Sequence, residues 1–250
     1  MIDLTGKTAL VTGGGVGIGR AVATALADAG AHVALTYLTH DGREVADGIV
    51  ASGGRAVAFE LDVTDRAQVD RVVDRAVTDL GGHLDILVNN AGGLIAKIPT
   101  TEMPDDHWTR VLDLNLTSVF RCTQAALTSM GDGGRIVNIS SLAARNGGAP
   151  GSIAYASAKA GVHAFTRGLA KELGPRRITV NALAPGMILD TPFHETFTPS
   201  EAQAATIAAI PLRRAGLPAD CAGAVLYLVS ELAGFCNGAV LDLNGGVYFS

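Results

Sequence analysis

The sequence predicts an α/β chain: one doubly wound domain with a seven-stranded parallel sheet and helices on both faces. Three observations predict it. Short apolar runs alternate with longer segments of helical periodicity along the whole chain. Those runs are continuously apolar rather than alternating, which marks strands buried on both faces. Glycine supplies 31 of the 250 residues and 48% are hydrophobic against 17% charged, a balance that excludes disorder. The glycines have no three-residue period, which excludes collagen, so they serve tight turns or close backbone approaches.

Thr8–Thr12 (TALVT) reads as the first strand, followed by glycines and an Ala-rich helix over Gly17–Ala29. His32–Tyr37 is the second strand, Gly42–Ala51 a helix, and Arg55–Glu60 the third strand. Over Ala67–Leu80, the residues Val69, Val72, Val73, Ala76, Val77 and Leu80 fall on one helical face. Leu84–Val88 is the fourth strand. Pro104 opens a long helix near Asp105–Ser129, since proline suits a first turn. Arg135–Ser140 is the fifth strand, and Ile153–Leu173 a helix stopped by Gly174-Pro175. Ile178–Ala184 is the sixth strand, residues 187–211 are irregular, Pro218–Ser230 is helical and Ala239–Leu243 is the last strand. With right-handed crossovers and the first three units wound opposite to the rest, the strand order is 3-2-1-4-5-6-7. Ligands of such sheets bind beyond the carboxyl ends of the strands, where strands 1 and 4 part. No internal repeat or linker divides residues 1–250.

A net charge of −5 without a basic stripe argues against nucleic acid as a partner. Met1 to Val11 lacks the apolar core of a signal peptide. No run of apolar residues is long enough to span a membrane. Cys122, Cys221 and Cys236 are scattered and read as reduced thiols of a cytoplasmic protein. His32, His40, His83, His107, His163 and His194 show no metal-ligand spacing, so no metal is expected.

The chemistry concentrates at strand ends. Thr12-Gly13-Gly14-Gly15-Val16-Gly17-Ile18-Gly19 joins a strand to a helix, the setting in which glycines admit a pyrophosphate to backbone N–H groups, as in a Rossmann-type dinucleotide site. Asp62-Val63 and Asn89-Asn90-Ala91-Gly92 close strands 3 and 4 at the same edge. Asp62 suits an adenine amino group or a turn before the next helix. Tyr155 and Lys159 are i and i+4 on one helix face. A nearby ammonium lowers a phenol's pKa from ~10 towards the working range of a general acid. Ser140 and Ser141 end strand 5 and are candidates to hold a carbonyl oxygen. Asn115, between Leu114 and Leu116 on a buried helix, implies a kink or a water relay.

In combination these motifs resemble the short-chain dehydrogenase/reductase family, over essentially the whole chain. The resemblance rests on the glycine turn, the N-N-A-G at Asn89–Gly92, Asn115, the strand-5 serine, the Y-x-x-x-K at Tyr155–Lys159 and Pro185-Gly186. It implies a general acid/base in Tyr155 and a lysine, Lys159, that lowers its pKa and holds the nicotinamide ribose. Ser141 would orient the carbonyl and Asn115 support a proton-relay water. Gly13, Gly15, Val16, Gly17, Ile18, Gly19, Asp62, Val63, Asn89, Ala91 and Gly92 would line the dinucleotide. Pro185, Gly186, Ile188 and Thr191 would border the nicotinamide.

Strand 2 ends in Tyr37, not in the carboxylate that favours NAD. Together with Thr39, His40 and Arg43, this leans the cofactor towards NADP. The expected reaction is reduction of a ketone, such as a 3-oxoacyl thioester, to a secondary alcohol. Alternatives are an NAD-dependent dehydrogenase of a sugar or polyol and a non-catalytic dinucleotide-binding regulator. Residues 187–211, with Met187, Ile188, Leu189, Phe193, Phe197 and Ile207, form the expected substrate lid. Ser129–Gly134 lacks the basic residues that would dock an acidic carrier protein, and Arg176, Arg177, Arg213 and Arg214 are the candidate substitutes. The resemblance also implies a homotetramer or homodimer paired through helices Asp105–Ser129 and Ile153–Leu173.

Overall fold

The computed structural model describes residues 2–250, and within them every side chain but that of His194. Seven parallel strands stand in the order 3-2-1-4-5-6-7. They are β1 (Thr8–Val11), β2 (His32–Tyr37), β3 (Arg55–Glu60), β4 (Leu84–Asn89), β5 (Met130–Ile139), β6 (Thr179–Pro185) and β7 (Val240–Leu243). Leu10 of β1 registers with Ala34 of β2 on one side and Leu87 of β4 on the other. The division between β1 and β4 is therefore the topological switch point.

Period-two alternation sends each strand's side chains into two cores. Ala9, Val11, Val33, Leu35, Ile86 and Val88 join the core under α1 (Gly17–Asp28), α2 (Arg43–Ala51) and a C-terminal helix over Pro218–Val229. Leu10, Ala34, Leu84 and Leu87 join the opposite core, under α3 (Arg66–Asp79) and the helices that follow β4 and β5. Burial on both faces accounts for the continuous apolar runs of the sequence. Asp65 starts α3: its carboxylate accepts from Ala67 N at 2.9 Å and Gln68 N at 3.1 Å, which satisfies two first-turn donors.

Three expectations are corrected. The long helix expected over Asp105–Ser129 is α4 (Asp105–Leu112) and α5 (Ser118–Leu127), joined by a π turn at Asp113–Thr117. The cause is side-chain competition for the backbone ladder. Asn115 Nδ2 donates to Val111 O at 2.9 Å, and Ser118 Oγ to Leu114 O at 2.6 Å. Strand β5 begins at Met130 rather than Arg135. Its extra residues bulge out between the pairs Leu84↔Met130 and Ile86↔Arg135, where Gly133 takes φ +82°. Segment 187–211 is largely helical. Following α6 (Ala143–Asn146) and α7 (Ile153–Leu173), it forms α8 (Pro192–Phe197) and α9 (Ser200–Ala209), before α10 (Pro218–Val229). Prolines 192 and 199 stand at or just before the two helix starts, where a missing N–H costs nothing. Among the described residues no helix is long and apolar enough to cross a membrane. Cys122, Cys221 and Cys236 are free.

Candidate active site

The glycine turn leaves β1 with Gly13 at φ +65° and Gly17 at φ +55°, both in the left-handed region that glycine adopts without strain. Val16 precedes α1 without a side-chain cap, and no acidic residue occupies the first turn. The helix start thus leaves its N–H groups and positive dipole end to an external anion. Thr12 Oγ1 accepts from Asn90 N at 3.0 Å and Ala91 N at 3.1 Å, which lashes the β4 exit to the turn. Asn90 Nδ2 completes the seam on Gly13 O at 2.9 Å. The side chain of Asn89 faces the core instead, donating to Thr123 Oγ1 and Asn138 Oδ1. Ala91 and Val63 also pack towards the core under α3. Asp62 Oδ1 accepts from Thr64 N at 2.8 Å and Thr64 Oγ1 at 2.6 Å, so the carboxylate holds a turn while Asp65 caps α3.

Three elements meet above the switch point. Ile153–Leu173 carries Tyr155, Lys159 and His163 one turn apart, all buried. Lys159 Nζ donates to Ile139 O at 2.8 Å and lies 5.8 Å from the centre of the Tyr155 ring. From the π turn, Asn115 accepts from Gly93 N at 3.0 Å and donates to Gly93 O at 2.8 Å. Gly92 is pressed against both: a Cβ there would stand 2.7 Å from Asn115 Oδ1 and 3.2 Å from Lys159 Nζ. From the end of β5, Ser141 stands close enough to the Tyr155 phenol to favour its ionised form, while its Oγ accepts from Ala143 N at 3.1 Å.

Ser140 has a different environment. Its Oγ donates to Lys159 O at 3.1 Å and lies 2.7 Å from His163 Nε2. His163, read from sequence as one of six scattered histidines, thus buttresses the site. Its signal was present as the third member of the i, i+4 series that begins at Tyr155. Arg145 and Asp242 pair nearby at 3.2 Å, joining α6 to β7.

Burial governs the electrostatics. It pushes the Tyr155 phenol up to about 12, opposed by Ser141. The lowered phenol expected from Lys159 is therefore not found in the protein alone, because desolvation disfavours phenolate. The same burial lowers Lys159 to about 8. His163 falls to about 4 through burial, then through the charges of Arg145 and Arg167.

The remaining predicted contacts divide. Pro185 closes β6, its carbonyl accepting from Leu142 N at 2.8 Å, and Gly186 N donates to Leu243 O at 2.8 Å. Ile188 is core, bridging to Gly216. Thr191 donates to Ile188 O at 3.0 Å, and its methyl group lies over Gly17. Tyr37 is half-buried beyond the turn, Thr39 Oγ1 lies 3.0 Å from His40 Nδ1, and the exposed Arg43 pairs with Asp41 at 2.6 Å. Phe193 of α8 covers Tyr155, with ring centres 5.6 Å apart, and Phe197 packs edge-on to Phe193 at 5.5 Å.

A doubly wound sheet with this glycine turn, tyrosine and lysine defines a dinucleotide-dependent oxidoreductase. The family model described as Enoyl-(Acyl carrier protein) reductase matches residues 14–248. The chain belongs to the short-chain dehydrogenase/reductase family and is an NAD(P)-dependent enzyme. It is similar to the 3-oxoacyl-[acyl-carrier-protein] reductase FabG of Vibrio cholerae, with 39% identity over 99% of each chain. A dehydrogenase/reductase from Sinorhizobium meliloti superposes with a TM-score of 0.93 at 39% identity, covering 99% of this chain and 97% of that one. A short chain dehydrogenase from Burkholderia cenocepacia in complex with NADP superposes at 0.91 with 38% identity, over 98% of each.

The residues present fit a nicotinamide dinucleotide. The uncapped start of α1 offers N–H donors to a pyrophosphate. The Lys159 ammonium carries three donors, and among the described residues its one hydrogen bond goes to Ile139 O, leaving donors for ribose hydroxyls.

Proposed function

We propose that this chain reduces a ketone to a secondary alcohol with NADPH, and that Tyr155 is the general acid. The observation that carries this reading is the buried Tyr155–Lys159 pair, with Ser141 beside the phenol, next to the glycine turn. When bound, the reduced nicotinamide supplies the hydride equivalent that the carbonyl carbon accepts. Every other step belongs to the chain. Ser141 donates a hydrogen bond to the carbonyl oxygen and orients it. Tyr155, protonated because it is buried, delivers its proton to that oxygen as negative charge develops there. The Lys159 ammonium holds the ribose hydroxyls and stabilises the phenolate that remains. Asn115 fixes the backbone of Gly93 and with it the β4 exit. The lid is α8 and α9, with Phe193 excluding water above Tyr155.

Tyr37 in place of a carboxylate, with Arg43 nearby, supports NADP over NAD. The NADP complex of the Burkholderia cenocepacia relative supports the same choice. A 3-oxoacyl thioester is the substrate class supported by the Vibrio cholerae relative. The exposed Trp108 and Phe120, on α4 and α5, support a homodimer or homotetramer paired through these helices. Unbridged cysteines fit a cytoplasmic setting. In the deciding experiment, Tyr155→Phe binds NADPH as the wild type does and loses turnover of β-ketoacyl thioesters. A variant that keeps most of its turnover overturns the assignment.

A further inference from the structure

The loop leaving β4 contains a strained residue. Ile95 has φ +65°, and Ala96 N donates to Leu94 O at 2.8 Å, closing a three-residue turn around it. Positive φ is an outlier for a β-branched side chain, and the turn of this hand is rare. Among the described residues, the other non-glycine residues with positive φ are Arg177, Asp190 and Arg213, all exposed and none β-branched. Such strain persists only where the surroundings over-determine it. Here they do: Asn115 grips Gly93 on one side, and Ile98 N donates to Gly151 O at 2.9 Å on the other.

The turn places the branched side chain against the cluster of Leu94, Val111, Ala154 and Tyr155. Phe193 and Phe197 from the lid pack against the same cluster, as do Met103 and Ala143. None of these residues carries a charge, and the cation of the same loop, Lys97, is turned to the backbone of the lid, its Nζ donating to Phe197 O at 2.7 Å. A glycine at position 95 would make the turn without strain, which leaves the isoleucine side chain as what the strain maintains.

We infer that Ile95 is a specificity-determining residue, one wall of an apolar slot over Tyr155 opposite Phe193. The slot takes uncharged ketones with an apolar substituent and fixes the face of the carbonyl that is reduced. This inference rests on the ketone-reducing function assigned above.

The test uses the full chain with NADPH, a small methyl ketone and a prochiral aryl alkyl ketone. Ile95→Ala and Ile95→Gly are compared with the wild type, with NADPH binding measured by fluorescence as a control for folding. The expected result is an aryl-over-methyl kcat/KM ratio shifted by roughly tenfold or more, the scale of methylene-sized changes in a pocket. The enantiomer ratio of the aryl alcohol is expected to fall with it. Binding-competent variants with both ratios within twofold of wild type overturn the inference alone. A wild type that binds NADPH but reduces neither these ketones nor a β-ketoacyl thioester overturns the function itself, and the inference with it; one that reduces the thioester but neither ketone overturns the inference alone. If the glycine variant does not fold, the alanine variant decides.

Discussion

Ser140 Oγ lies 2.7 Å from Nε2 of His163, whereas Ser141 stands beside the phenol of Tyr155 and favours its ionised form. Two adjacent serines at a strand end thus face two different environments. The separation predicts opposite phenotypes. Ser141→Ala is expected to lower kcat by about 10²-fold, the scale of losing one positioned donor at a reacting oxygen. Ser140→Ala leaves the buried His163 ring without this partner. It is expected to cost about 1–2 kcal/mol of stability with far less effect on kcat. Steady-state kinetics and urea melts of the two variants check the division. Equal losses of turnover would sink it.

His163 gives the fold an acid-sensitive point. Burial, with Arg145 and Arg167 nearby, holds its folded pKa at about 4, below the ordinary 6.5. The unfolded chain therefore binds a proton that the native state refuses. The resulting stability is complete above pH 6.5 and is lost as pH falls towards 4. Over that window the loss is roughly 3 kcal/mol. His163→Gln, which keeps a side chain able to hydrogen-bond Ser140, should flatten this limb in urea melts run between pH 4 and 7. A limb of unchanged depth would place the titration elsewhere.

Lys159 sets an upper pH limit on reduction. Its burial lowers it to about 8, while Tyr155 stays protonated to about 12. Above pH 8 the lysine loses the charge that stabilises the nascent phenolate, while the phenol keeps its proton. The kcat/KM for ketone reduction is expected to fall with a single proton dissociation near pH 8, within about one unit. A profile flat to pH 10 would show that the ammonium charge is not used.

The fold was legible because strand burial and helical periodicity leave strong local signals. Leu10, Leu87 and Ile136 lie in continuous apolar runs, and sheet order follows from the right-handed crossover. Tyr155 and Lys159 were legible because helical spacing fixes their shared face. What stayed hidden depends on partners distant in sequence. Asn115 signalled a break in its helix, but the π turn also needs the backbone of Gly93, 22 positions away. Ser140 and Ser141 were indistinguishable until α7 brought His163 to one and Tyr155 to the other. The phenol's raised pKa was invisible for the same reason, since a sequence shows the neighbouring lysine but not the depth of burial. Segment 187–211 was read as irregular because its helices are short and amphipathic only weakly, although its prolines stood where helices start.

Arg43 offers a test of cofactor choice. Its guanidinium is bound to Asp41 by Nη2 at 2.6 Å and by Nε at 2.9 Å, both groups exposed. A 2′-phosphate arriving beyond Tyr37 would compete with Asp41 for the same fork of donors, and its greater charge favours the exchange. Arg43→Ala is expected to raise KM for NADPH by roughly tenfold at low salt while leaving KM for NADH nearly unchanged. Asp41→Asn, which removes the competing charge, moves KM for NADPH the other way. Both effects should shrink as ionic strength rises, because the pair and its replacement are solvent-exposed. An Arg43→Ala enzyme that discriminates between NADPH and NADH as the wild type does would remove Arg43 from the phosphate site. Tyr37 in place of a carboxylate, with Thr39 and His40, would then be what remains in the sequence to support NADP.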